Sequence, residues 1–247
     1  METYIINLEK DTDRKEYIST LLSNYPCFHL NFINAVNGKE KPSNELQHKF
    51  NNIKAFKRYG RECSPAEIGC TLSHYSIYEK LIFYKIPYAL ILEDDIEFIR
   101  GGGGRDVQNI IYQLDKHIKG IKEPTIILLS GAYTYFYSKK VSPDITLANV
   151  HGATLAHSYI INVQAAQILT SKQPPYTQAD DWKFISQCGI KVKALLPHLV
   201  DQNRNKFDIT QSNIWEETHR FRKLTLSNIS ESVINKLLSF IGNKEQG

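Results

Sequence analysis

The stretch YALILEDD, residues 88–95, joins five consecutive apolar residues to three carboxylates. An uninterrupted apolar run of this length is typical of a β-strand buried on both faces, as in a parallel sheet covered by helices. In open α/β sheets, ligands bind at the carboxyl ends of such strands. We therefore predict a central strand that ends at a ligand-binding site.

Similar apolar runs recur on both sides of this stretch, with helical segments between them. The further predicted strands are residues 3–8, 28–36, 124–129, 158–163 and 190–196. The clearest helix start is SPAE at residues 64–67, where an N-cap serine is followed by proline and then by glutamate three residues after the cap. This helix should end before Pro87. The alternation of strands and helices predicts an α/β layered domain.

Two segments fit no regular element. Residues 39–61 are polar and without a clear period, so we predict a long irregular excursion. Gly101 to Gly104 form an unbroken run between two arginines. A phosphate cradle spaces its glycines and continues into a helix with lysine and serine or threonine, so a flexible linker is favoured here. Whether the run is native or an engineered replacement for a loop stays open.

Composition narrows the class of protein and its compartment. Thirty basic residues against 26 acidic ones give a formal charge of +4, which does not indicate nucleic-acid binding but suits anionic substrates. The cysteines form no C-x-x-C pair, so buried free thiols are expected rather than a zinc site. The N-terminus resembles a strand rather than a signal peptide, and no apolar run is long enough to span a bilayer. We expect a cytosolic protein.

The three carboxylates that close the central strand are the strongest candidates for chemistry. Buried acids are costly unless a positive group joins them. Glu93 and Asp95 are two residues apart, so in extended backbone they point to the same side and could hold Mg²⁺ or Mn²⁺. The structural alternative is a solvated strand end whose carboxylates pair with lysine or arginine.

Four short motifs combine around this strand. EIGCTLSH at residues 67–74 precedes LEDD at 92–95, and both follow IINL at 5–8 and AVNG at 35–38. Together with Asp13-Arg14, this combination resembles glycosyltransferase family 25, which contains bacterial lipooligosaccharide galactosyl- and glucosyltransferases and collagen galactosyltransferase domains. The similarity runs from residue 3 to about residue 210.

The resemblance implies a GT-A type fold, a nucleotide-binding α/β sandwich with a mostly parallel central sheet. We expect this domain at residues 1–215 and a C-terminal helical extension at residues 216–247. It also implies Mn²⁺ or Mg²⁺ bound by a D-x-D-like motif, and inversion at the sugar's anomeric carbon. Because this chain has Glu93-Asp94-Asp95 in place of a strict D-x-D, the ligand assignment stays open. Asp95 is favoured, with Glu93 or Asp94 helping through water or the ribose.

Further residues receive expected roles from the resemblance. Asn7 and Arg14 would lie near the nucleotide, where a guanidinium suits a phosphate. Asn37 and His74 belong to the same expected nucleotide site, although His74 could equally be a core residue. His198 is a candidate metal ligand, although a single histidine is more often structural.

The general base is expected within QADDW at residues 178–182. The incoming sugar hydroxyl needs a carboxylate or histidine to accept its proton. Asp180 is slightly favoured over Asp181, and Trp182 offers an apolar platform for a sugar ring. The alternative is that both acids simply favour the dipole at a helix N-terminus.

The sequence therefore predicts an inverting transferase that moves galactose or glucose from UDP-galactose or UDP-glucose to an oligosaccharide or lipid-linked glycan, such as lipooligosaccharide. A metal-dependent nucleotidyl or phosphoryl transferase is an alternative, although its phosphate-gripping lysine or glycine motif is missing. A non-catalytic glycan-binding domain is another.

The C-terminal segment places apolar residues at positions 229, 233, 234, 237, 238 and 241, along one helical face. The first interpretation is that this helix packs onto the domain. The second is a peripheral helix on the inner face of a membrane, which a lipid-linked acceptor would favour.

Overall fold

The computed structural model describes residues 1–99, 106–207 and 226–246, with side chains described from residue 232 in the last segment. The strands are β1 (Glu2–Asn7), β2 (His29–Asn34), β3 (Tyr88–Glu93), β4 (Ile96–Phe98), β5 (Thr125–Leu128), β6 (Tyr133–Ser142), β7 (Ile145–Ala153), β8 (Ser158–Asn162), β9 (Lys191–Leu196), β10 (Val200–Gln202) and β11 (Lys244–Glu245). The helices are α1 (Thr12–Ser23), α2 (Ser43–Lys49), α3 (Asn52–Tyr59), α4 (Pro65–Phe83), α5 (Val107–Lys119), α6 (Val163–Thr170), α7 (Trp182–Gln187) and α8 (Leu226–Phe240). A short 3₁₀ helix covers Gly38–Glu40.

One nine-stranded sheet organises the described residues, in the order β11-β6-β7-β9-β5-β8-β3-β1-β2. β3 lies inside this sheet, parallel to β1 and antiparallel to β8. The strand pairings make β1, β2, β3, β5, β6 and β9 run in one direction, opposed by β7, β8 and β11. The predicted α/β sandwich with a mostly parallel central sheet is confirmed.

The uniform apolarity of the central strand has a direct structural cause. Ala89 and Ile91 join the hydrophobic core on one face of the sheet, whereas Leu90 and Leu92 join the core on the other. All four are at most 1% exposed. Because both faces are covered, no position in β3 favours a polar residue until the strand reaches its carboxyl end.

Helix α4 begins as predicted. Ser64 and Glu67 form a capping box, with Pro65 in the first turn, and the helix ends at Phe83, before Pro87. One face of α4 packs on the sheet through buried residues such as Ile77 and Leu81. The middle of this helix, at His74, lies beside the carboxyl end of β3.

The prediction of an irregular excursion at residues 39–61 is wrong, because this segment contains the 3₁₀ helix, α2 and α3. The two α-helices have only seven and eight residues, too few to display a helical period. Asn51 caps the start of α3 by accepting from the backbone N–H of Lys54, and Gly60, at φ 73°, ends it. The hairpin β6–β7 was also not predicted from the sequence, because half of β6 is exposed and it has no long apolar run.

The C-terminal segment packs onto the sheet edge. β11 pairs with β6, Leu238 is buried, and the Thr134 hydroxyl donates to Asn235 Oδ1 at 2.6 Å. Val233, Leu237 and Ile241 are exposed, so the predicted apolar face is divided between the domain and solvent. Within the described parts of the chain, no helix has the length and apolarity needed to cross a bilayer. The Gly101–Gly104 run, the predicted boundary at residue 215 and the side chain of residue 229 lie outside the described residues.

Candidate active site

The acidic triplet lies where β3 ends. The strand stops at Glu93, and Asp94 and Asp95 form a turn that leads into β4. The expectation that Glu93 and Asp95 project together from extended backbone is wrong, because the chain turns between them. The three side chains are 27%, 9% and 15% exposed in chain order, so each is largely enclosed but still open to solvent.

Asn7 and Arg14 converge on this turn, and both hold Asp94. Asn7 Nδ2 donates to Asp94 Oδ2 at 2.7 Å, and Arg14 Nη1 donates to Asp94 Oδ1 at 3.0 Å. The same Arg14 nitrogen lies 3.3 Å from Asp95 Oδ2, and its guanidinium covers the ring of Phe207 at 4.8 Å. Both oxygens of Asp94 are thus engaged within the protein. The structure brings all of these predicted residues to one place.

Asp95 is the least satisfied of the three acids. Its Oδ1 is buried without a hydrogen-bond partner, while its Oδ2 accepts from Arg14 and, at 3.5 Å, from Gln202. Burial, followed by the charge of Glu93, raises the pKa of Asp95 to about 7. A buried carboxylate oxygen that faces other acids and lacks a donor is suited to a cation.

The balance of charges around the triplet is also suited to a cation. The three carboxylates of the triplet meet one guanidinium, that of Arg14. Burial lowers the pKa of His157, which lies beside Glu93, so this histidine does not compensate the acids at neutral pH. The fully ionised triplet would carry an excess of two negative charges, which matches one divalent cation.

The Glu93 side chain points toward helix α4. Its Oε1 lies 3.8 Å from His74 Nε2, and burial alone would raise its pKa, but His74, then His157 and Arg14, lower it. His74 Nδ1 is hydrogen-bonded to the Tyr159 hydroxyl at 2.7 Å, and that hydroxyl contacts the hydroxyl of Tyr78 at 2.6 Å. His74 is 1% exposed, so it is a core residue beside Glu93, and its contact with a nucleotide stays a prediction.

The AVNG motif has a packing role. A β-carbon on Gly38 would lie 1.6 Å from the Pro65 carbonyl oxygen, and one on Gly69 would lie 2.4 Å from the Val36 carbonyl oxygen. The turn therefore rests directly on the first turns of α4. Asn37 accepts from the backbone N–H of Lys39 at 3.2 Å and caps the 3₁₀ helix. Its contact with a nucleotide stays a prediction.

The two candidate bases have opposite environments. Asp181 caps α7 by accepting from the Phe184 N–H, and it accepts hydrogen bonds from Arg58 and Tyr59. These contacts overcome the effect of burial and lower its pKa. Asp180 accepts from the backbone N–H of Leu155 at 3.2 Å. Burial, with smaller effects of Asp181 and Glu93, raises the pKa of Asp180.

Sequence reasoning missed Arg58 and Tyr59, because they lie in the segment taken as irregular and contact Asp181 across more than 120 residues. No local pattern marks such a pair. The predicted sugar platform is wrong, since Trp182 is 2% exposed and its indole N–H donates to the Leu155 carbonyl at 3.0 Å. Trp182 is a core residue that fixes the backbone beside Asp180.

His198 is held by two acids that lie outside the triplet. Its Nδ1 donates to Glu245 Oε1 at 2.6 Å, and its Nε2 lies 3.7 Å from Asp201 Oδ2. The β4–β10 pair carries this segment past the triplet, which brings Gln202 to Asp95. The role of His198 as a metal ligand stays a prediction.

Comparisons with known proteins agree with these observations. A family model described as "Glycosyltransferase family 25 (LPS biosynthesis protein)" matches residues 1–183. Among curated proteins, the chain is 24% identical over 220 residues to "Probable inactive glycosyltransferase 25 family member 3" of Bos taurus, covering 83% of this chain and 32% of that protein. It is 31% identical over 102 residues to "Procollagen galactosyltransferase 2" of Homo sapiens, covering 39% of this chain and 16% of that protein. The chain thus spans a third or less of the length of these relatives.

Solved structures give weaker likenesses. The "UTP-bound UGPase from acinetobacter baumannii" has a TM-score of 0.46 at 11% identity, covering 94% of this chain and 98% of that one. A "glycosyltransferase involved in the glycosylation of the major capsid of PBCV-1" has a TM-score of 0.37 at 10% identity, covering 78% and 80%.

Proposed function

Because the chain belongs to glycosyltransferase family 25, we propose that it is an inverting transferase that moves galactose or glucose from a UDP-sugar to a hydroxyl of a glycan. The observation that carries this proposal is the acid cluster at the end of β3. Asp95 Oδ1 lies there without a donor, beside Glu93 and Asp94, with Arg14 as the paired cation. Such a cluster suits a ligand that brings positive charge.

Asp95 and Glu93 are the residues that would hold Mn²⁺ or Mg²⁺, since both ions prefer carboxylate oxygens. When bound, the cation supplies Lewis-acid stabilisation of the departing diphosphate. Asp94 is held by Asn7 and Arg14, so its part is to orient the turn. Arg14 is 28% exposed, and its guanidinium can donate hydrogen bonds to a phosphate oxygen as a new partner.

Asp180 is the proposed general base. Its raised pKa brings proton affinity closer to neutral pH, where a base is most effective. Asp181 is committed to Arg58, Tyr59 and the start of α7, and we assign it a positioning role. A carboxylate already held by a guanidinium is a weak proton acceptor, because its pKa is low.

A non-catalytic glycan-binding domain is the second candidate, because one relative carries the words "Probable inactive" in its name. That candidate requires a glycan site but no nucleotide-dependent metal site. A nucleotidyl or phosphoryl transferase has no comparable support.

Thermal unfolding with UDP, GDP and CMP, each with and without Mn²⁺, separates these functions. We expect UDP to raise the melting temperature only with Mn²⁺, since ligands that bind the native state stabilise it. Asp95→Asn should abolish this increase, whereas Asp13→Asn, at an exposed acid next to Arg14, should retain it. Transfer from UDP-galactose and UDP-glucose to simple glycosides then tests catalysis. Stabilisation by glycans alone, with no response to any nucleotide, would favour the binding domain.

We also propose that the protein works in the cytoplasm, in peripheral contact with a membrane that holds a lipid-linked acceptor. Supporting this, Val233, Leu237, Phe240 and Ile241 are exposed on and just after α8, near the exposed aromatic residues Phe136 and Tyr137 of β6. Amphipathic surfaces of this kind bind at the lipid headgroup boundary.

A further inference from the structure

A second group of ligand-type side chains lies behind the acidic triplet. One ligand atom each from Cys70, His74 and Glu93 lies within 4.8 Å of the other two. Cys70 and His74 are four residues apart on α4 and therefore share a face of the helix. The carboxyl end of β3 adds Glu93 to that face. The cysteines form no C-x-x-C pair, so the sequence alone did not favour a zinc site. In the structure, the three side chains come from a helix and a strand and meet only through the fold.

His74 is oriented as a metal ligand would be. The Tyr159 hydroxyl engages Nδ1 at 2.7 Å, which leaves Nε2 directed at Glu93. At 3.8 Å from Glu93 Oε1, Nε2 is too distant for a direct hydrogen bond, and this buried nitrogen has no hydrogen-bond partner. In metal sites, the second ring nitrogen of a ligating histidine is held in the same way by an outer group.

The chemistry of the set differs from that of Asp95. Coordination would release the Cys70 thiol proton to solvent. The resulting thiolate, with a carboxylate and a neutral imidazole, carries two negative charges, which a divalent cation neutralises. Sulfur and nitrogen ligands favour zinc-like ions over Mg²⁺ or Mn²⁺. Ligand atoms of a tetrahedral zinc site are about 3.3–3.8 Å apart, so side-chain shifts of about 1 Å would close the group. Three protein ligands would leave a fourth tetrahedral position for water, and Cys70 and Glu93 are each partly exposed whereas His74 is buried.

We propose that Cys70, His74 and Glu93 form a binding site for Zn²⁺ or a similarly thiophilic divalent cation, distinct from the oxygen-lined site at Asp95. The proposal stands without the transferase activity. One consequence rests on the proposed function: because Glu93 is a proposed ligand at both sites, Zn²⁺ should oppose the stabilisation by UDP and Mn²⁺.

Titration of the metal-free, reduced protein with Zn²⁺, in competition with a chromophoric chelator, tests the site. We expect one equivalent to bind in the absence of any nucleotide. Cys70→Ser and His74→Gln should each weaken binding at least about tenfold, the loss typical even of an outer-shell partner. Asp95→Asn should retain Zn²⁺ while losing the response to UDP and Mn²⁺, which separates failure of this site from failure of the proposed function.

Co²⁺ supplies a readout that does not depend on a variant at the site. The wild-type protein should show thiolate-to-cobalt charge-transfer absorption, and a variant that keeps Cys70 as its sole cysteine should retain it. Cys188→Ser is the matched control for Cys70→Ser, because Cys188 is also a partly exposed free thiol. Absence of the band in the wild type, or Zn²⁺ affinity unchanged in folded Cys70→Ser, would overturn the proposal.

Discussion

Replacing Asp95 with asparagine should stabilise the ligand-free protein at pH 8. The carboxyl is buried beside two other acids, with its Oδ1 unsatisfied, so ionisation is unfavourable in the folded state. Asparagine has nearly the same shape and stays neutral at every pH. The variant therefore removes the charge while keeping the packing of the turn.

The magnitude follows from the pKa of this group. Its pKa is about 7 in the folded protein against 3.8 for an unperturbed aspartate, a difference of about three units. At 1.36 kcal/mol per unit, ionised Asp95 lowers the free energy of unfolding by up to about 4 kcal/mol. Below pH 4 the group is protonated in both states and has no effect. Between pH 4 and pH 7 the folded state binds the extra proton, so stability falls as pH rises, and above pH 7 the full effect is present.

Urea denaturation of the wild type and Asp95→Asn at pH 5, 6, 7 and 8, with a chelator present, measures this difference. The gain from the substitution should grow with pH and reach about 2–4 kcal/mol at pH 8, with equal m-values. Titrating groups remote from the triplet affect both proteins alike and cancel in the comparison. Adding Mn²⁺ at pH 8 should stabilise the wild type and leave the variant unchanged.

A gain that does not depend on pH would refute the reasoning, because it would arise from something other than the charge. A loss of stability at pH 8 would also refute it, since this would mean that pairing with Arg14 outweighs burial. In either case, the triplet would be an ordinary strand end whose carboxylates are paired within the protein.

Three further predictions follow from the site and its surroundings. Asp180→Asn should lower the rate of sugar transfer by about 10²–10⁴-fold, while UDP and Mn²⁺ still raise the melting temperature. Asp181→Asn should instead lower the free energy of unfolding, measured in urea, by about 1–3 kcal/mol, because it weakens the pairing with the partly buried guanidinium of Arg58. Equal turnover in both variants would remove this pair from the mechanism. Gly69→Ala should cost about 1–3 kcal/mol, because its β-carbon would meet the Val36 carbonyl oxygen at 2.4 Å. Gly120→Ala, whose nearest contact would be at 3.7 Å, is the control, and equal effects would contradict the close-packing argument. Leu237→Ser should reduce sedimentation with anionic vesicles without altering the melting temperature, since Leu237 is exposed; unchanged sedimentation would count against a membrane role for α8.

Local signals were sufficient for the strand and helix that frame the site. The apolar run of β3 and the capping box of α4 each depend on residues close in sequence, so both were predictable. The triplet could be identified as a site because strand ends in open sheets are where ligands bind. In contrast, α2 and α3 are too short to display a period, and β6, half of whose residues are exposed, lacks the long apolar run that marks a buried strand.

What the sequence could not supply is the partner of each site residue. Asp180 and Asp181 are adjacent in sequence, yet Asp180 accepts from the Leu155 N–H and has a raised pKa, whereas Asp181 is held by Arg58 and has a lowered pKa. Likewise, Cys70 and His74 belong to an apparently ordinary helix until β3 places Glu93 against them. Both outcomes depend on tertiary packing, which no spacing rule within a single segment expresses.

The energetic state of the triplet bears on whether this chain is active. Where a strand end has a purely structural role, stability rises when its acids pair with cations or are replaced by neutral residues. Stabilising substitutions of this kind are easy to find. Here the fold instead surrounds Asp95 with two acids, assigns Arg14 chiefly to Asp94, and leaves a buried oxygen without a donor. Unfavourable arrangements of this kind are typical of functional sites, where a ligand compensates them. The pH-dependent gain in Asp95→Asn is therefore also a test of whether the triplet is arranged for a ligand, and it needs no knowledge of the acceptor.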